Sequence, residues 1–151
     1  MTGIRKNYLR LNGYRLPTET EWEYACRAGA VTSRYYGDAV ELLAKYAWYF
    51  EISGNRSWPV GKLKPNEFGL FDMHGNVWNW CQERYLNYPK GEGVTVDEED
   101  ILTIDRGRSR VLRGGSFDDR PSHVRSAYRN YGLPVNRISN DGFRLARTFT
   151  P

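Results

Sequence analysis

Asn66-Glu67-Phe68-Gly69-Leu70-Phe71-Asp72-Met73-His74-Gly75-Asn76-Val77-Trp78 occupies the middle of a 151-residue chain. Lys64-Pro65-Asn66 leads into it and His74-Gly75-Asn76 interrupts it, so no helical period survives; large rings supply the core anchors instead. After Gly75 the pattern changes. Asn76-Val77-Trp78-Asn79-Trp80 alternates, which puts Val77 and Asn79 on one face of a strand and Asn76 with the two tryptophans on the other. The whole region from Tyr46 to Trp80, with Ser53-Gly54-Asn55 and Trp58-Pro59, reads as turns and short strands.

Working outward, Pro17-Thr18-Glu19-Thr20-Glu21 is a helix start. Thr18 can cap the first turn and Glu21, three residues on, completes a capping box. Trp22, Tyr24, Ala25 and Cys26 continue a helix of about ten residues that ends before Gly29, and its acidic first turn suits the helix dipole. A second short helix is expected after Asp38, over Ala39–Lys45, with Glu41 in the reciprocal capping position. Downstream, residues 89–109 are polar and charged and read as a surface insertion. Arg110-Val111-Leu112-Arg113 forms an alternating strand closed by Gly114-Gly115, and Gly142–Arg147 forms another. Between them Ser116–Asp141 has no period. A long irregular segment of this kind is uncommon in a compact domain and usually carries function.

Forty per cent apolar and 15% aromatic residues make a globular chain and exclude disorder. The length fits one domain, residues 1–151. No apolar run approaches the ~18 residues of a membrane span, and residues 1–15 lack the apolar core of a signal peptide. Cys26 and Cys81, the only cysteines, exclude a disulfide scaffold and a Cys-rich zinc site; a single bridge and two buried thiols both stay open. Charge is unevenly placed. Residues 1–99 carry five Lys and seven Arg against ten Glu and three Asp, a balance of −1, whereas residues 100–151 carry ten Arg against five Asp, a balance of +5. Arginine alone could attract phosphates, but it is also what bidentate structural pairs select.

Three blocks now stand in order: Tyr14–Ala25, Asn66–Trp78, and Arg110–Ser116 with Gly142-Phe143-Arg144. Together they resemble the formylglycine-generating-enzyme (sulfatase-modifying factor) domain over nearly the whole chain. The resemblance implies an α+β, C-type lectin fold with few short helices and strands and much irregular structure. Family members usually carry a further stretch before the Arg-Leu-Pro-Thr-Glu block, so this reads as a compact or N-terminally truncated version. The enzymes of the family hold copper with two cysteines placed after the Gly-Gly-Ser-aromatic motif. Counted from Phe117, those positions are Asp119 and Val124 here. Soft Cu(I) wants thiolates, so the expectation is no catalytic residue, no required cofactor and no enzyme. An iron-dependent branch of the family needs three histidines, and this chain has only His74 and His123. His74 reads as a packed turn histidine. Calcium-containing relatives imply one structural site, which maps onto the Asp72 carboxylate, the Gly75 and Val77 carbonyls and Asn79. The family acid at that last position is asparagine, which removes a charge.

The tail has a restricted alphabet. Glu, Lys, Gln, Trp and Met make up 23 of the first 99 residues and none of the last 52. An asparagine codon altered only at its adenines cannot encode any of these five. It can encode every residue of the set Asp118, Asp119, Arg120, Ser122, His123, Tyr128, Asn130, Tyr131, Gly132, Leu133, Val135, Asn136, Ile138, Ser139 and Asn140. These alternate with Pro121, Arg125, Ser126, Ala127, Arg129, Pro134 and Arg137, which read as a fixed frame. Residues 110–144 thus resemble the variable region of a diversity-generating retroelement protein, whose C-terminal cassette is rewritten at adenines on a C-type lectin scaffold. Tyr, Ser, Gly, Asn and Arg also suit recognition, giving contact area at low entropic cost with adaptable polar groups. The resemblance therefore implies a non-enzymatic, monomeric binding protein that meets a protein or other macromolecular ligand through this face. His123 then reads as a contact and not a base, and nucleic acid is not an expected partner. Two rivals remain: a formylglycine-generating-type oxidoreductase or its inactive relative, and an Arg-mediated nucleic-acid binder.

Overall fold

The computed structural model describes residues 11–88 and 106–148, so most of the expected insertion at 89–109 lies outside the described residues. The chain opens with β1 (Gly13–Arg15) and α1 (Glu19–Arg27), then a 3-10 helix (Val40–Lys45) and the single turn α2 (Phe50–Ser53). Strands β2 (Trp78–Arg84), β3 (Arg110–Arg113), β4 (Arg129–Gly132), β5 (Asp141–Gly142) and β6 (Ala146–Thr148) follow. Few short helices, short strands and long irregular connections make up the expected α+β architecture.

The first helix forms as its local chemistry dictates. Glu21 N–H donates to Thr18 Oγ1 while Thr18 N–H donates to the Glu21 carboxylate, the reciprocal bonds of a capping box. The Glu83 carboxylate, from β2, accepts a third N–H of the same turn, that of Glu19, at 2.8 Å. An anion at a helix N-terminus is favoured by the dipole, so this contact both caps α1 and fixes it on the sheet. Arg15 pairs with Glu21 at 2.6 Å and tethers β1 to the same turn.

The second helix differs from expectation. Ala39, not Asp38, precedes the 3-10 turn, and no side chain caps it. The Asp38 carboxylate accepts the Ser33 N–H instead, so the local cap signal is spent on the preceding turn. The last strand differs too. Gly142–Arg147 divides into β5 and β6, because Arg144 turns inward to donate to the Phe71 carbonyl and to Asn79.

One sheet has the order β4-β3-β2-β5, with β2/β3 and β3/β4 antiparallel and β2/β5 parallel. β1 and β6 form a separate antiparallel ribbon, Gly13 opposite Thr148. α1 packs on β2 and β3, burying Trp22 and Cys26 with Tyr35, Met73, Cys81 and Val111. A second cluster joins Leu43, Ala47, Tyr49 and Val124. Both cysteines are free and buried, which settles the alternative left open by spacing: these are thiols. Burial pushes the Cys26 thiol up to about 12. The strand after His74-Gly75-Asn76 starts only at Trp78, since Asn76 is left-handed (φ 62°). Gly75 is the tightest point of that turn: a Cβ there would lie 2.2 Å from the Trp48 carbonyl oxygen. Among the described residues no helix is long and apolar enough to cross a membrane.

Candidate recognition face

Residues 117–140 run over the surface of the sheet and the second core cluster, and their main chain is held by donors from elsewhere. Ser53 Oγ donates to the Phe117 carbonyl at 2.7 Å and Phe50 N–H to that of Asp119 at 3.0 Å. Arg34, buried at 3% exposure, donates through Nη2 to the Pro121 carbonyl at 2.7 Å and through Nε to that of Val124 at 2.9 Å. Arg113, with no exposed side-chain surface, donates to the carbonyls of Ser126, Ala127 and Tyr128. From Arg129 the chain becomes β4 and its backbone bonds pass to β3. A carbonyl is the same acceptor whatever side chain its residue carries, so these anchors are indifferent to sequence at most of the positions they hold.

The side chains point the other way. Asp118, Arg120, Ser122, Tyr131, Val135, Asn136, Ile138 and Ser139 are exposed, while Asp119, His123, Tyr128, Asn130, Leu133 and Asn140 are half-buried. Inward go Phe117, Val124 and Ser126. His123 stacks on Tyr128 with ring centroids 4.5 Å apart, and Tyr128 lies against Trp78 at 6.1 Å. Tyr131 meets Tyr85 at 4.8 Å.

Several of the expected variable positions are constrained: Asp118 accepts from Ser116 Oγ at 2.6 Å and from Asn140 Nδ2 at 3.0 Å. Gly132 is buried, and a Cβ there would come 2.7 Å from Cη2 of Trp80 and 3.3 Å from Leu112. This corrects its place among replaceable contacts: any side chain must displace the indole. Gly132→Ala is expected to cost about 1–3 kcal/mol in urea unfolding, against less than about 0.5 kcal/mol for Tyr131→Ser one residue away. The Asp119 carboxylate accepts the Ser116 N–H at 2.9 Å, contacts the Ser116 hydroxyl, and lies 3.1 Å from His123 Nδ1. Its oxygens close a turn.

The frame also differs from expectation. Of the interleaved arginines, Arg125 and Arg137 are exposed, Arg125 donating only to the nearby Ser122 carbonyl, whereas Arg129 is locked across the fold, bidentate to Glu19 at 2.6 and 2.8 Å and set over the rings of Tyr85 and Tyr88. The holding falls to Arg34, Ser53 and Arg113, which lie outside the segment. Arg113 also pairs with Glu23 and lies 3.5 Å from Glu19, so α1, β3 and the segment share one buried ionic cluster. The Tyr85–Tyr88 patch was not a sequence candidate either.

His74 is fully buried, stacked on Tyr35 at 4.7 Å, with Nε2 3.4 Å from Cys26 Sγ and 3.3 Å from Ser126 Oγ. Burial, helped by the charges of Arg34, Arg27 and Arg113, lowers it to about 3, so it is neutral.

The residues mapped for calcium do not fit the ion. Asn79 Oδ1 already accepts from Trp22 Nε1 at 3.0 Å and from Arg144 Nε at 3.1 Å, and the Val77 carbonyl accepts from Asn79 Nδ2. Arg144 also reaches the Phe71 and Asp72 carbonyls. A guanidinium stands among the four residues and supplies the positive charge a cation would bring; of the Asp72 carboxylate only Oδ1 is uncommitted. The positions corresponding to the family's copper cysteines do not fit Cu(I): Val124 has no lone pair and is packed against Leu43, Ala47 and Tyr49.

A mixed sheet with one capped helix, an Arg-Leu-Pro-Thr-Glu entry, a Gly75 turn and a Gly-Gly-Ser corner is a sulfatase-modifying-factor scaffold, and the match to the sulfatase-modifying factor enzyme 1-like domain over residues 5–149 agrees. The chain belongs to this family. It is 38% identical over 156 residues to a formylglycine-generating enzyme of Streptomyces coelicolor, covering 92% of this chain and 48% of that protein. It is 34% identical to that of Mycobacterium tuberculosis, covering 91% of this chain and 52% of that protein. Among solved structures, Treponema denticola variable protein 1 superposes with a TM-score of 0.81 at 32% identity, over 96% of this chain and 53% of that one. The chain thus spans about half the length of each of these three relatives. The enzymes among them overturn the expectation, drawn from Asp119 and Val124, that the chain stands outside enzymes: its family is an enzyme family.

Proposed function

We propose that residues 117–140 are a ligand-recognition face whose outward side chains are replaceable on a fixed main chain, as in the variable proteins of diversity-generating retroelements. The observation that carries this is the set of framework donors aimed at carbonyls: Arg34 on Pro121 and Val124, and Arg113 on Ser126, Ala127 and Tyr128. Change in the exposed side chains leaves such bonds intact. The similarity to the Treponema denticola variable protein supports the same reading. The tail's alphabet points the same way, because the residue types it omits are those adenine-directed rewriting of asparagine codons cannot produce. The ligand is a protein or another macromolecule, met by a single copy of the chain through rigid aromatics such as Tyr128 and Tyr131 with polar groups between them.

A display library randomised between Asp118 and Asn140, with Asp119, Gly132 and the inward residues kept, tests this. Most members are expected to remain cooperatively folded, since each exposed change costs within about 0.5 kcal/mol, and members binding unrelated proteins should be recovered. Widespread unfolding, or binders whose affinity does not depend on this face, would sink the idea. The gene should also be followed by a near-identical repeat that differs only at adenines.

A further inference from the structure

Arg106, Pro134, Val135, Asn136 and Arg137 line an open concavity of about 330 Å³ at one side of this face. Both arginines are exposed, and among the described residues neither guanidinium makes a hydrogen bond or ion pair. Four arginines are spent within the fold: Arg34 and Arg113 on carbonyls, Arg129 on Glu19, Arg144 on Phe71 and Asn79. Two unpaired forks at one concavity form an anion site, and their planar N–H pairs match a carboxylate.

The origin of the lining residues is informative. Arg106 lies before β3, outside the restricted-alphabet set, and Pro134 and Arg137 belong to the interleaved frame. Only Val135 and Asn136 belong to the replaceable set. The charge is therefore constant while the walls change. Exposed Val135 and Ile138 add apolar surface suited to a protein. Asp118, Asp119 and Asp141 in the same segment oppose a continuous phosphate backbone.

We propose that Arg106 and Arg137 are a constant cationic anchor for carboxylate side chains of an acidic protein ligand, with Val135 and Asn136 as the exchangeable walls that set the fit. This rests on the recognition face argued above. It implies that differently rewritten versions of the chain share a preference for acidic ligands and differ in shape preference.

Panning a random dodecapeptide library on the whole chain supplies the probe. Peptides enriched in Asp and Glu are expected from both the native chain and a V135S/N136S variant, with different sequences around the acids. The R106A/R137A variant, checked by circular dichroism for an unchanged fold, should bind those peptides about tenfold more weakly or worse, as loss of interface arginines does. Peptides without acidic enrichment, or unchanged affinity in R106A/R137A, would overturn the anchor. So would tighter binding of a duplex oligonucleotide than of the peptides. If Tyr131→Ser or Ile138→Ser weakens the peptides and R106A/R137A does not, the anchor fails and the face stands. If no substitution from 118 to 140 matters, the face itself fails.

Discussion

Arg113→Met is expected to lose about 3–5 kcal/mol of unfolding free energy, the cost of removing one partner from a buried ionic cluster. The side chain has no exposed surface, donates to three carbonyls of residues 126–128, pairs with Glu23, and lies 5.2 Å over the Trp22 ring. Methionine fills much of the volume but leaves the carboxylates and carbonyls without a donor. Urea unfolding followed by tryptophan fluorescence reads the loss, and Arg113→Lys should recover little of it, because an ammonium cannot span carbonyls and carboxylate together. A loss below about 1 kcal/mol in either variant would show that the segment's main chain is held by something else.

His74 gives the second large effect, as a dependence on pH. Its folded value, about 3, lies below the ordinary 6.5, so below pH 6.5 the unfolded chain binds a proton that the folded chain refuses. Stability is full above pH 6.5 and falls as pH drops toward 3, by about 1.4 kcal/mol per pH unit once well under 6.5. Between pH 6.5 and 5 carboxylates contribute little, so the slope there belongs to histidine. Denaturant midpoints measured across that range should decline in the native chain and flatten in His74→Gln. An equal slope in both proteins would reject the assignment; His123→Gln, at the half-buried histidine outside the core, serves as the control.

What sequence could reveal was local. The Thr18–Glu21 capping box is four residues wide and forms as read, and the order of three motif blocks was enough for the scaffold. The helix expected over Ala39–Lys45 forms as a 3-10 turn at Val40–Lys45; only its cap was misread, because Asp38, a good cap, accepts the Ser33 N–H instead. β4 was missed in a segment without period: Arg-Asn-Tyr-Gly at a sheet edge has no apolar face, its inward contact being made by a glycine beneath Trp80. The anchors of residues 117–140 were the least legible. Arg34 and Ser53 act on carbonyls 64 to 90 residues away, and no spacing rule relates a donor to an acceptor at that distance. Arg144 misled for the same reason; its place among the supposed calcium ligands depends on how the chain turns between β5 and β6.

The ribbon of β1 and β6 bears on mechanics. Its register sets Gly13, the first residue of β1, opposite Thr148, the last of β6. A force drawing those two points apart would peel the pair one rung at a time, instead of shearing all rungs together. Under tension this ribbon should part first, as a weak fuse, before load reaches the arginine-clamped loops.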